Sequence, residues 1–125
     1  MLNLSHKKLD VYVMSLKLVK EIYFITSKFP QEEKYVLVSQ LRRAAISVCS
    51  NIAEGAARRS KHEKKRFYEI SRSSAVEIDT QLEIALLLAY LKNIPIAEAE
   101  QHLEPIFRML SKMIDNLDKE TPTRH

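Results

Sequence analysis

Residues 39–66 read SQLRRAAISVCSNIAEGAARRSKHEKKR, a largely apolar segment that passes through the only glycine of the chain, Gly55, into a strongly basic one. Leu41, Ala44, Ala45, Val48 and Ile52 recur at the three and four spacing that draws one stripe along a helix. Ile46, Cys49 and Ala53 fill the neighbouring face, so well over half of the circumference is apolar. A helix of that kind is buried on two sides. Gly55 can take the left-handed conformation that closes a helix, and Ser60 followed by Glu63 is a capping box that opens the next one. The stretch predicts a helix, a short turn and a second helix, with cations gathered at the turn.

Upstream, Pro30 suits the first position of this helix, where its missing N–H is not needed, and Glu32 and Glu33 suit the positive end of the dipole. The helix is thus expected over residues 30–54, with Leu37 and Val38 added to its apolar faces. Residues 9–28 predict a first helix whose stripe is Leu9, Tyr12, Val13, Leu16, Val19 and Tyr23. Downstream, residues 61–91 predict a third, with Phe67, Ser71, Ser74, Ile78, Leu82, Ala85 and Ala89 inward and Ile84, Leu87, Leu88 and Leu91 as a second patch. Residues 92–95 form a turn with Asn93 as a left-handed cap. The fourth helix carries Ala99, Leu103, Ile106, Leu110, Met113 and Leu117, the seam of a bundle, and Pro105 should kink or split it. The polar residues 119–125, KETPTRH, read as a frayed tail.

With 125 residues, 46% of them hydrophobic, the chain reads as one domain over residues 1–125, its ordered core at about 6–118. A chain of that length buries roughly two thirds of its unfolded surface. The single cysteine, Cys49, has no internal disulfide partner, and no charged segment followed by an apolar one opens the chain. No apolar run approaches the ~20 residues of a membrane span. These features predict a cytoplasmic protein without a membrane partner. One glycine, no tryptophan and abundant Leu, Ile, Ala, Lys and Glu make the class all-α and exclude a glycine-rich phosphate loop. Four amphipathic segments on short turns pack as an up-down-up-down antiparallel four-helix bundle. Because the second and third helices each carry a surplus apolar stripe, and monomers rarely leave large contiguous apolar patches wet, a cyclic homo-oligomer is expected.

LRRAA, SNIAEG and the Ser60 capping box, together with LDVYVMSLKLVKEIYFITSKFPQEEKYVLVSQ upstream, resemble the bacterial four-helix bundle family known from large-subunit ribosomal RNA intervening sequences. The accessory protein of diversity-generating retroelements is similar to it. The resemblance covers roughly residues 6–118 and implies a cyclic homo-oligomer, commonly a pentamer, with a basic surface. For the retroelement relatives it implies RNA and a reverse transcriptase as partners. Tyr12 stands where the family often has tryptophan and Cys49 where it often has proline, which implies a straighter second helix.

Residues 58–72 hold seven cations against two acids, a net of +5 in a chain whose total is +4. From residue 73 onward the net is −4, and the first 30 residues carry +3. Cations spaced to follow phosphates gain affinity by releasing counterions, so the cluster is a candidate nucleic-acid surface, with a plain solvated helix face as the competing reading. At least one of Arg42 and Arg43, in an otherwise apolar helix, should face a groove, a subunit contact or a central opening, with pairing to an acid across an interface as the competing reading. The candidate binding residues are therefore Arg42, Arg43, Arg58, Arg59, Lys61, Lys64, Lys65 and Arg66. Phe67 is placed on the core stripe, so binding should be electrostatic and not read bases by stacking. Glu54 should pair with Arg58, and Asn51 should cap or link backbones.

Catalysis is not expected. The bundle lacks the Glu-x-x-His repeats of di-iron proteins, and His6, His62, His102 and His125 are dispersed, which predicts neither a metal nor another cofactor. Cys49 has no histidine nearby and reads as a packed thiol. The sequence thus points to a non-catalytic, oligomeric bundle that binds nucleic acid, RNA before DNA. The alternative is a protein adaptor whose second apolar stripe serves a partner helix.

Overall fold

The computed structural model describes residues 1–120. A 3₁₀ turn at Ser5–Lys8 leads into helix α1 (Asp10–Thr26). A further 3₁₀ turn, Gln31–Glu33, and a π turn, Lys34–Val38, precede α2 (Ser39–Ala57); α3 (Lys61–Leu87) and α4 (Ala97–Glu120) follow. The protein is all-α, with no strand among the described residues. The predicted second helix therefore begins as two irregular turns, and its regular part runs past Gly55 to Ala57. Of the expected tail, Lys119 and Glu120 belong to α4, and the remainder lies outside the described residues.

Each helix packs on its neighbour in the chain, and α1 also packs on α4. Between α2 and α3, Ser47 hydrogen-bonds Ser74 at 2.8 Å and the Ser71 hydroxyl donates to the Val48 carbonyl at 2.8 Å. Small residues thus bring these two backbones close while their hydroxyls are satisfied. Arg72 reaches Ser111 between α3 and α4, and His102 reaches Glu21 between α4 and α1. Leu18, Ile22, Leu41, Val48, Ile52, Ile78, Ile106 and Leu110 are fully buried at the centre.

Three expected faces shift. In α1 the buried stripe is Val11, Ser15, Leu18, Ile22 and Ile25, while Val13, Leu16 and Tyr23 are exposed. Both faces of this helix are apolar, and packing against α2 and α4 decides between them. In α3 it is Tyr68 that is buried, at 6% exposure, and Phe67 lies only partly covered. In α4 the inward seam continues from Leu110 to Ile114, with Met113 and Leu117 partly buried.

Three expected backbone features also change. Gly55 has no positive φ: it sits buried in the last turn of α2, where an added β-carbon would stand 2.6 Å from Tyr68. Among the described residues the left-handed ones are Ala89 (φ 65°) and Asn93 (φ 62°), the second as expected. Ala89 ends α3 four residues early. There the Tyr90 N–H bonds the Ala85 carbonyl at 2.9 Å and the Ala89 N–H bonds that of Leu86 at 3.0 Å, the double closure of a Schellman motif. Pro105 does not split α4, which runs through it as one helix with Leu103, Ile106 and Leu110 buried on either side. Those anchors hold the ladder across the missing N–H.

Candidate nucleic-acid interface

The turn between α2 and α3 is set by Ser60, whose hydroxyl accepts from the Glu63 N–H at 3.0 Å and starts α3 as predicted. The end of α2 is closed differently. Lys64 folds back across the turn, its Nζ donating to the Ala56 carbonyl at 3.0 Å and lying 3.4 Å from that of Gly55. A cation on these last carbonyls quenches the negative end of the α2 dipole just where the positive end of α3 begins.

Around that turn the cations are differently committed. Arg58 pairs with Glu54 at 2.9 Å, the expected one-turn pair, and its guanidinium lies over the Phe67 ring at 4.7 Å. Arg66 lies over the same ring at 5.1 Å. Lys65 pairs with Asp118 of α4 at 3.0 Å; the hydrogen bond to that carboxylate, and then its charge, hold the lysine above its ordinary range. Such solvated pairs contribute little to stability and remain open to exchange for a phosphate. Arg59 and Lys61 are exposed at the turn. Phe67, half-covered between two guanidiniums, is no core residue, so the expectation that it lies on the inward stripe is corrected.

Arg42 and Arg43 do not join this cluster. Arg43 is exposed fifteen residues before Arg58 in α2, about 22 Å along the axis. Arg42 is half-buried across the end of α1, where its Nε donates to Thr26 Oγ1 at 2.9 Å. Its guanidinium lies 4.3 Å from the Tyr23 ring, with Nη2 3.4 Å from the Tyr23 carbonyl. It meets the negative end of a helix dipole where an acid across an interface was one expectation. Asn51 donates to the carbonyl and hydroxyl of Ser47, one turn back, at 2.8 and 3.0 Å.

Lys7 and Lys8 escaped sequence reasoning. The turn that carries them packs on α2 and enters α1 where Leu9 and Asp10 meet Met113 and Asn116 near the end of α4. Two lysines thereby stand next to the pocket that Leu9 and Asp10 share with the C-terminal half of α4. The only signal was the +3 of the first 30 residues. Of the other groups weighed, Cys49 is buried, and burial pushes its thiol up against the opposing pull of a hydrogen bond with Ser15. His6 packs edge-on to Tyr12 at 4.7 Å, and His102 Nδ1 lies 2.8 Å from Glu21. No three His, Cys, Asp or Glu side chains converge on a metal-sized site among the described residues.

The family model described as 23S rRNA-intervening sequence protein matches residues 7–112. The chain belongs to that family. The chain is also similar in fold to the crystal structure of a protein of unknown function from the S23 ribosomal protein family of Bacteroides thetaiotaomicron, with a TM-score of 0.60 and 22% identity over 90% of this chain and 99% of that one. No curated protein matches the chain. No helix among the described residues is long and apolar enough to cross a membrane.

Proposed function

We propose that this intervening-sequence family protein binds RNA, without catalysing a reaction, through the cationic end of an up-down-up-down bundle that assembles into a cyclic homo-oligomer in the cytoplasm. The observation that carries the reading is the convergence of Arg58, Arg59, Lys61, Lys65 and Arg66 on one short turn beside the positive end of α3. Lys64 serves the site by screening the α2 carbonyls from an incoming phosphate. Arg43 belongs to a separate surface, and Arg42 to the fold. Antiparallel neighbours are supported by pairings in which one residue number rises as the other falls: 47 with 74 and 55 with 68, or 65 with 118 and 72 with 111. A pentamer and a reverse-transcriptase partner follow from the family resemblance, and DNA as a second ligand follows from the electrostatic character of the site.

A filter-binding titration of RNA at several salt concentrations tests the reading. Four or five phosphate contacts per subunit predict log K falling against log salt with a slope of about −3 to −4.5. Absence of binding at low salt, or affinity indifferent to salt, rejects it.

A further inference from the structure

Two faces of the molecule are apolar, exposed and opposite in charge. On the outer side of α1, Leu16 is 49% exposed and Phe24 52%, with Val13 beside them. Lys17 and Lys20 stand among these residues, and neither lysine has a partner among the described residues. Of the acids near this face, Asp10 lies at the start of α1, Glu21 is turned toward His102, and Glu98 of α4 shares the α1–α4 groove with Lys17, Lys20 and Phe24. The second face is a groove of about 400 Å³ between α3 and α4, floored by Ala75 and Leu103 and walled by Val76 and Phe107, which are 49% and 42% exposed. Its rim carries Asp79, Glu100 and Glu104. Glu104 is held by Arg108 at 2.6 Å, and Arg72 covers the far end of Phe107, which leaves Asp79 and Glu100 without a partner among the described residues.

We propose that the outer face of α1 in one copy seats in the α3–α4 groove of the next, with Leu16 and Phe24 against Val76 and Phe107 and with Lys17 and Lys20 on Asp79 and Glu100. This rests on the oligomer in the functional reading above and names its interface. Two unpaired lysines meet two unpaired carboxylates, so the apolar contact is closed by complementary charge, which also fixes its register. Leu16 to Phe24 on α1 spans eight residues, about 12 Å, against seven residues, about 10 Å, from Glu100 to Phe107 along the groove. An α1-on-α1 contact would set lysine against lysine. Because the two faces are different surfaces of one chain, the contact is head-to-tail, the kind that generates rings.

Sedimentation equilibrium tests the proposal with charge reversals at exposed positions, with circular dichroism confirming that each variant is folded. K17E/K20E and D79K/E100K should each raise the concentration at which the assembly falls apart by roughly tenfold or more. The quadruple variant, in which the charges are exchanged between the faces, should return to the wild-type mass. Pair variants that keep the wild-type assembly, or a folded quadruple variant that stays dissociated, overturn the interface and leave the oligomer standing. A wild-type protein that is a single copy at all concentrations overturns both. RNA affinity per subunit, measured on the dissociated variants, reports on the basic turn independently.

Discussion

Gly55 and Tyr68 approach so closely that a β-carbon on the glycine would stand 2.6 Å from Cε1 of the ring and 3.2 Å from Cβ of Phe67. The only glycine of the chain is therefore a packing residue that lets α3 come down on the last turn of α2. Gly55→Ala should destabilise the bundle by about 1–3 kcal/mol, since the buried ring has little room to retreat. Urea denaturation measures this, and adding Tyr68→Leu should recover part of the loss. An unchanged midpoint for Gly55→Ala would show that the ring moves freely.

Ala89 gives the opposite expectation. It holds the left-handed position of the motif that ends α3, where glycine is usual because it has no β-carbon to clash. Ala89→Gly should stabilise the protein by about 1 kcal/mol and raise its melting temperature by several degrees. A lower melting temperature would contradict the assigned backbone.

The bases of the α2–α3 end and Arg42 should separate in mutagenesis. Arg42→Gln loses a hydrogen bond to Thr26 and the stack on Tyr23, and should cost about 1–2 kcal/mol of stability while leaving RNA affinity within about twofold. Arg59→Gln should change stability by no more than about 0.5 kcal/mol, weaken RNA binding and reduce the salt slope by about 1. The reverse pattern would place the ligand at the end of α1.

What the sequence could reveal divides along these lines. Helices α1, α3 and α4 and the Ser60 start were legible because their signals are local: three-four periodicity, a hydroxyl with an acid three residues on, a proline. Which face of α1 turns inward was not, because Val11, Leu18 and Ile22 compete with Tyr12, Leu16 and Tyr23 on nearly equal terms, and the choice belongs to α2 and α4. Phe67 and Tyr68 differ by one step of about 100° around α3, and Gly55, on another helix, leaves the space that draws Tyr68 in. The cationic cluster itself could be read directly. Its commitments could not, since Lys65 meets Asp118 and Arg42 meets Thr26 across distances in sequence that periodicity does not reach.

Alkaline pH should erode stability. Burial pushes both the Cys49 thiol and the Tyr68 hydroxyl above their ordinary values. The folded state thus holds these protons more tightly than the unfolded chain. The resulting stabilisation is complete below the unfolded values and is lost as pH rises through the folded ones. Urea midpoints should fall from about pH 8.5 upward, where an unfolded cysteine begins to ionise, and Cys49→Ala should remove the earliest part of the decline. At about pH 8 the folded thiol should alkylate far more slowly than the denatured one. Equal rates would place the sulfur in water.

The π turn at Lys34–Val38 winds more chain into one turn than an α-helix would. Deleting a single residue there would let the turn relax to ordinary α-helical pitch, so that the segments on both sides kept their faces. The approach to α2 is thus a slack joint, a point at which a lineage can gain or lose a residue while the helical register behind it stays in phase.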